Sequence, residues 1–300
     1  ALPLAACGSS SDDPDGGGDD DDDGGADIDG GAGCPVTPAG DPETVPLRGA
    51  CPLATRLGGF EIVENGSYTA ISGQVSDGVV PVSILEEVGS EGDCKLLKRN
   101  NPFCSPACDA DETCGHDGVC VPFPRQQDLG VVSVQGLAAC SEMSARVPGN
   151  SYYDTELPHP GFAAGDLVRL TSPDSDYGPL ALHGVGVAPL DAEGPSVTVT
   201  AGEALPLTWN AVAEGARSRV LVSINIDQHG VTPLTLVCDF PDTGSAEISA
   251  ELIDQLFGGG VSGFPNARIV RHTTDSQEVG DGCVELNVAS EREVSVTTAN

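Results

Sequence analysis

Residues 59–75 read Gly59-Phe60-Glu61-Ile62-Val63-Glu64-Asn65-Gly66-Ser67-Tyr68-Thr69-Ala70-Ile71-Ser72-Gly73-Gln74-Val75. Apolar and polar side chains alternate on both sides of Glu64-Asn65-Gly66. A period of two puts one face of an extended strand on a core and the other on solvent. Asn-Gly between two such runs is the turn that closes an antiparallel hairpin. Ser76-Asp77-Gly78 is the next turn signal, and Val79 to Val88 reads as a further strand. The pattern resumes at Val131-Val132-Ser133-Val134-Gln135-Gly136-Leu137, at Asp166 to Leu170 and at Leu180 to Val187. Gly, Pro, Val, Thr and Ser dominate the composition, which suits short strands and tight turns. The reading is an all-β fold.

The strand pattern is interrupted between Cys94 and Cys120, where C-KLLKRNNPF-C-SPA-C-DADET-C-GHDGV-C holds five cysteines in 27 residues. No apolar run there is long enough to build a core, so the segment reads as a disulfide-stapled insertion at one edge of a β-domain. Cys140, just after the resumed strand, is expected to pair back to Cys94 and clamp the base of the insertion. Cys34 and Cys51 flank a proline-rich loop and most simply pair with each other. Lys95, Lys98, Arg99 and Phe103 are the candidate contact residues of this region. The block C-x3-C-x5-C-x5-C with Gly115 and Gly118 resembles the small EGF-like or dickkopf-type cysteine modules of bacterial surface lipoproteins. That resemblance implies interleaved bridges, Cys104–Cys114 and Cys108–Cys120; it covers about 30 residues and lacks the sixth cysteine and the acidic-Asn signature of a calcium-binding EGF domain. A zinc reading of His116 beside four thiols lacks the paired C-x2-C spacing, and no metal is expected.

A second β-domain starts near residue 191. Ser196-Val197-Thr198-Val199-Thr200 alternates, Leu205-Pro206-Leu207-Thr208-Trp209-Asn210 follows, and Arg219 to Ile226 and Leu234 to Phe240 are further strands. The Leu-Pro-Leu-Thr-Trp-Asn-Ala motif before a long alternating strand is similar to the early strands of fibronectin type III and immunoglobulin-like sandwiches, which implies a core role for Trp209. Cys238 and Cys283 both follow the tryptophan, unlike the antibody order, and are expected to bridge two strands. Ser249 caps a helix whose apolar stripe is Leu252, Ile253, Leu256 and Phe257, ended by Gly258-Gly259-Gly260. Strands at 267–271, 283–288 and 293–298 complete the domain. Arg268, Arg271 and His272 form a small basic spot, read as solvated edge residues before a ligand site. The expected organisation is thus a β-sandwich over 34–190 carrying the insertion 94–125, and a second sandwich over 191–300.

At the other end, Leu4-Ala5-Ala6-Cys7 resembles the lipobox of bacterial lipoproteins. The resemblance implies that residues 1–6 are the remnant of a signal peptide and that Cys7 is acylated, anchoring the chain to a membrane. With Cys7 lipidated, ten of the 11 cysteines remain to form bridges. Residues 7–33 are almost entirely Asp, Gly, Ser and Ala and read as a disordered acidic tether. Asp19, Asp21, Asp23 and Gly24 have the opening spacing of a calcium loop, but Gly30 stands where the bidentate carboxylate belongs. The net charge of −33 excludes nucleic acid as a partner, since phosphates are repelled.

Motifs for chemistry are missing: no G-x-S-x-G, H-E-x-x-H, P-loop or G-x-G-x-x-G after a strand occurs. The five histidines are scattered singly. The expectation is a non-catalytic, cofactor-free lipoprotein of the outer membrane or cell surface that contacts a surface protein or an envelope polysaccharide. Protein contact ranks first, because a stapled loop on a rigid sandwich presents a surface well. Carbohydrate ranks second, since aromatics are 4% of the chain and Tyr152-Tyr153 is the sole adjacent pair. A hydrolase without a sequence motif ranks third.

Overall fold

The structure, a computed structural model, describes residues 40–173, 175, 177–191, 196–212, 217–227 and 233–299. Cys7, Cys34 and the acidic tract therefore lie outside the described residues. In chain order the strands are β1 Arg56–Asn65, β2 Tyr68–Val75, β3 Glu86–Glu91, β4 Cys94–Lys98, β5 Glu112–Cys114, β6 Cys120–Pro122, β7 Val132–Gln135, β8 Ser141–Met143 and β9 Tyr152–Asp154. They continue with β10 Leu167–Ser172, β11 Leu180–Val185, β12 Ser196–Thr200, β13 Leu205–Thr208, β14 Arg219–Asn225, β15 Leu234–Pro241, β16 Ser245–Ile248, β17 Asn266–Val279 and β18 Gly282–Ala299. The single α-helix among the described residues is α1, Ala250–Gly258, capped by Ser249 Oγ accepting from the Leu252 N–H at 3.3 Å. The fold is all-β.

The opening hairpin forms β1 and β2, with Gly66-Ser67 as its two-residue loop. The expected strand over 79–88 does not form as one piece. Pro81 has no N–H to give a ladder and instead starts a 3-10 turn, Pro81–Ser83, after which β3 begins.

The boundary expected at 190/191 is not there. One sheet runs β3-β4-β15-β14-β17-β18-β1-β2-β9, with β12 also pairing β18, so both halves of the chain interleave in it. β1 lies parallel to β18, with Phe60 opposite Leu286, and β4 lies antiparallel to β15, with Leu96 opposite Leu236. The described residues fall in one compact unit. In place of two separate sandwiches there are two cores under one large sheet. The first packs Phe60, Ile62, Ile71, Leu286 and Val288 of the large sheet against Val132, Val134, Leu170 and Leu182 of a four-stranded sheet, β11-β10-β7-β8. The second packs Val220, Val222, Leu236 and Ile269 against the β13–β16 ribbon and α1, with Trp209 buried in it.

β17 and β18 span both cores, which is why the strands expected at 267–271, 283–288 and 293–298 are pieces of two longer ones. The middle of β17, Arg271-His272-Thr273-Thr274-Asp275-Ser276-Gln277, is too polar to read as a buried strand. It fills the seam between the cores. Alternate side chains of β17 take the outer-edge N–H groups of β11: Thr273 Oγ1 from Val185 at 3.0 Å, Asp275 Oδ2 from His183 at 3.0 Å and Gln277 Oε1 from Ala181 at 2.9 Å. An edge strand otherwise left with unpaired donors is thus satisfied by side chains instead of another backbone.

Four bridges are described: Cys51–Cys283, Cys94–Cys238, Cys104–Cys114 and Cys108–Cys120. The two inside the insertion have the interleaved connectivity that the resemblance implied. The other three expected pairings, Cys34–Cys51, Cys94–Cys140 and Cys238–Cys283, are corrected. Cys238 and Cys283 belong to β15 and β18, which β14 and β17 hold apart. Cys94 stands directly opposite Cys238 in the β4–β15 register. Cys51 precedes β1, whose parallel partner β18 brings Cys283 to a Cα separation of 5.8 Å. Cys140 is disulfide-bonded as well, though not to Cys94. Replacing Cys51 and Cys283 together by serine is expected to cost about 2–3 kcal/mol, because the Cys94–Cys238 bridge still limits the unfolded chain. Urea unfolding checks this; an unchanged midpoint refutes it.

Candidate functional site

The cysteine-rich insertion is a small unit of its own. β5 and β6 form a two-stranded ribbon with Cys114 opposite Cys120. His116 fastens it to the large body: its Nε2 lies 2.6 Å from the Pro81 carbonyl oxygen and its Nδ1 3.3 Å from the Asn100 amide. At the other end the Asp77 carboxylate accepts from the Arg125 N–H at 2.7 Å. The sulfurs of Cys104, Cys108 and Cys120 lie within 4.8 Å of one another. All three are in bridges, and a bridged sulfur lacks the thiolate charge that binds zinc. With no core of its own, the insertion leaves Phe103 86% exposed, and Val119 and Phe123 more than half exposed.

The basic residues expected to join that surface are distributed differently. Lys95 pairs with Glu87 at 2.9 Å across β3 and β4, which lowers the Glu87 carboxyl from its ordinary range. Lys98 is half-buried on β4, and Arg99, just beyond it, is exposed. The expected spot of Arg268 and Arg271 does not exist as a unit. Arg268 lies on the outer face, where Glu291 and Glu61 hold it at 2.6 and 2.8 Å and raise its already high pKa. Arg271, three positions on, points into the seam and is fully buried. Its Nε donates to Asp242 at 2.7 Å, its Nη1 to the Ala188 and Pro189 carbonyls and its Nη2 to that of Asn210. Arg271 is a structural latch between the cores and unavailable to a ligand.

The outer face of the large sheet carries a shallow groove of about 550 Å³ across β18, β1, β2 and β9. Strand register explains its shape. Asn287, Glu61, Ser72 and Tyr153 stand opposite one another in a row over the four strands. In the adjacent row Gly59 stands between Glu285 and Gln74, leaving a hollow with a backbone floor. A Cβ on Gly59 would meet the Glu285 carbonyl oxygen at 2.2 Å, so only glycine fits. Glu285 accepts from Arg56 Nη1 and from the Cys51 N–H, both at 3.0 Å. Tyr153 is 40% exposed, and the Arg146 guanidinium lies 3.5 Å from its ring centroid. Its neighbour Tyr152 points the other way, into the core, and its hydroxyl accepts from the Leu129 N–H at 2.6 Å. Burial, with Asp128 beside it, pushes the Tyr152 phenol up to about 12.

From the groove a hydrogen-bonded string crosses the same face. Asn287 Oδ1 accepts from Thr274 Oγ1 at 2.6 Å, Thr274 Oγ1 is 2.8 Å from His272 Nδ1, and His272 Nε2 is 3.0 Å from Asp239. Burial opposes ionisation of Asp239, but hydrogen bonds from His272 and Arg219 outweigh it and hold the carboxyl below its usual range. The string has the residue types of a Thr–His–Asp triad, but Thr274 is buried and its hydroxyl donates to Asn287 Oδ1. Sequence spacing could not reveal the groove, because its members come from strands more than 200 residues apart, such as Glu61 and Asn287, nor the string, which depends on the order of β15, β17 and β18 in the sheet. A second cavity of about 470 Å³ with a mostly apolar lining, including Val185, Val187, Ala211 and Val212, opens beside Arg217. Arg217 donates there to the Pro42 and Val45 carbonyls.

These features define an all-β, disulfide-stapled protein with a cysteine-rich unit and a polar groove on its large sheet. No family model matches the sequence, and no curated protein matches it. Among solved structures, the crystal structure of chicken CNTN1 FN1–FN3 domains matches at 7% identity over 71% of this chain and 65% of that one, with a TM-score of 0.19. That likeness carries no argument; the fold rests on the registers and cores described above.

Proposed function

We propose that this chain is a cell-surface lipoprotein, held to the outer membrane by lipid on Cys7, that binds a surface protein through its EGF-like unit and performs no catalysis. The observation that carries the reading is the exposure of Phe103, Val119 and Phe123 on a unit stapled by two bridges. Large exposed apolar side chains on a cross-linked unit lose little entropy on docking and mark interaction surfaces. The lipobox resemblance supports the anchor, and the acidic tract behind it supports a spacer between membrane and sandwich. The burial of Thr274 and its bond to Asn287 support a non-catalytic role.

The test is photo-cross-linking on intact cells with benzoylphenylalanine at Phe103, and as control at Val147, which is 85% exposed outside the unit. A single dominant protein adduct from position 103, missing from position 147, supports the contact. Equal labelling from both, or no adduct from 103, overturns it. For the anchor, Cys7→Ala is expected to move the protein from the membrane to the soluble fraction; continued membrane fractionation refutes it.

A further inference from the structure

We infer that the groove over β18, β1, β2 and β9 is a binding site for a neutral oligosaccharide, distinct in its residues from the protein contact proposed above. Three observations point there. The row Asn287, Glu61, Ser72 and Tyr153 crosses four strands, a span of roughly 14 Å at ordinary strand spacing. That is the length of a short oligosaccharide, and the groove's volume of about 550 Å³ lies within the usual small-ligand range. The hollow at Gly59 lets the ligand approach the backbone between Glu285 and Gln74.

The chemistry is that of hydroxyl recognition. Carboxylate, amide and hydroxyl groups alternate along the walls, so each can meet a sugar hydroxyl, which both donates and accepts. These groups are fixed before any ligand arrives: Glu61 by Arg268 at 2.8 Å, Glu285 by Arg56 at 3.0 Å and Asn287 by Thr274 at 2.6 Å. Tyr153, steadied by Arg146, supplies an apolar ring at one end of the row for the C–H face of a pyranose.

Charge decides against the other ligand classes. Arg56 is paired with Glu285 and Arg268 with Glu61 and Glu291, and the Arg146 guanidinium is stacked on Tyr153, so the walls offer no free cation to an anion. The net charge of −33 further repels one. The same two pairings leave the carboxylates poorly placed to capture a cation. A neutral polyhydroxylated ligand is what remains matched.

The test is amide chemical-shift mapping with maltotetraose, cellotetraose, chitotetraose and mannotetraose, each titrated into the protein, with tetragalacturonate as the anionic comparison. At least one neutral tetrasaccharide is expected to give saturable shifts centred on Ser72, Gln74, Tyr153 and Asn287. Tyr153→Ala is expected to weaken it about tenfold, equivalent to about 1.4 kcal/mol. Gln74→Ala, a second exposed edge substitution, should weaken it too, and unchanged shifts elsewhere show that each variant is folded. The proposal is overturned if none of the neutral tetrasaccharides gives saturable shifts there, if tetragalacturonate binds as tightly, or if both variants bind unchanged. Loss of the cross-link from position 103 leaves this site standing, and loss of the saccharide shifts leaves the protein contact standing.

Discussion

Asp242→Ala is expected to lower folding stability by about 3–5 kcal/mol, the cost of leaving a buried charge without its partner. The Asp242 side chain is 2% exposed and sits between the two cores. It accepts from Arg271 Nε and from Ser218 Oγ at 2.7 Å, and from Trp209 Nε1 at 2.8 Å. Removing it strands the fully buried guanidinium together with two further donors. Arg271→Met combined with Asp242→Leu is expected to recover part of the loss, since no charge is then left unpaired, but not all of it, since Trp209 and Ser218 remain without their acceptor. Urea unfolding of both variants decides the matter. A loss below about 1 kcal/mol for Asp242→Ala would mean that water reaches the seam and solvates Arg271.

Asp275→Ala is the second large effect, expected at about 3 kcal/mol, the low end for a broken buried pair because Arg48 is half exposed. The Asp275 carboxylate is fully buried. It accepts from the Arg48 N–H at 3.0 Å, from Arg48 Nε and Nη2 at 2.9 Å and from the His183 N–H at 3.0 Å. It therefore ties the segment before β1 and the edge of β11 to the long hairpin. Burial alone would raise its pKa, but the bonds from Arg48 and His183 outweigh burial and depress it. The sign follows from that depression. The contribution of Asp275 is complete above the unfolded carboxyl value of about 3.9 and disappears as pH falls through the lower folded value. On a His183→Gln background, the stability difference between the protein with Asp275 and Asp275→Asn is expected to be constant from neutral pH to about pH 4 and to shrink below it. His183 adds a separate loss starting below about pH 6.5, because burial lowers its pKa in the folded state. Because the Asp275 charge, 3.9 Å from His183 Nδ1, offsets part of that burial effect, the loss differs between the two proteins, and the His183→Gln background removes it from the comparison. A difference that grew on acidification would contradict the assignment.

The sequence by itself determined the local structure. Residues 59–75 specified their hairpin because strand alternation and an Asn-Gly turn are both written in consecutive residues. Ser249 and the stripe Leu252, Ile253 and Leu256 specified α1 for the same reason. Trp209 was legible as core, and the cysteine spacing marked out the stapled unit. The exposure of Phe103 followed from the lack of a core around it.

Only the tertiary structure decided how these pieces are joined. Strand alternation says which face of a strand is buried but not which strand lies beside it. β1 pairs with β18, and β4 with β15, across separations that no local signal encodes. The bridges Cys51–Cys283 and Cys94–Cys238 are consequences of those pairings and could not be read before them. The polar middle of β17 misled for a related reason. Arg271, Thr273 and Asp275, with the half-buried Gln277, break the apolar pattern, yet they face the seam because the groups that satisfy them, on β11 and around Asp242, arrive from elsewhere in the chain. The groove has the same origin: register across four strands placed Tyr153 and Asn287 in one row, and a row across a sheet is a property of pairing, which forms only when the chain has folded.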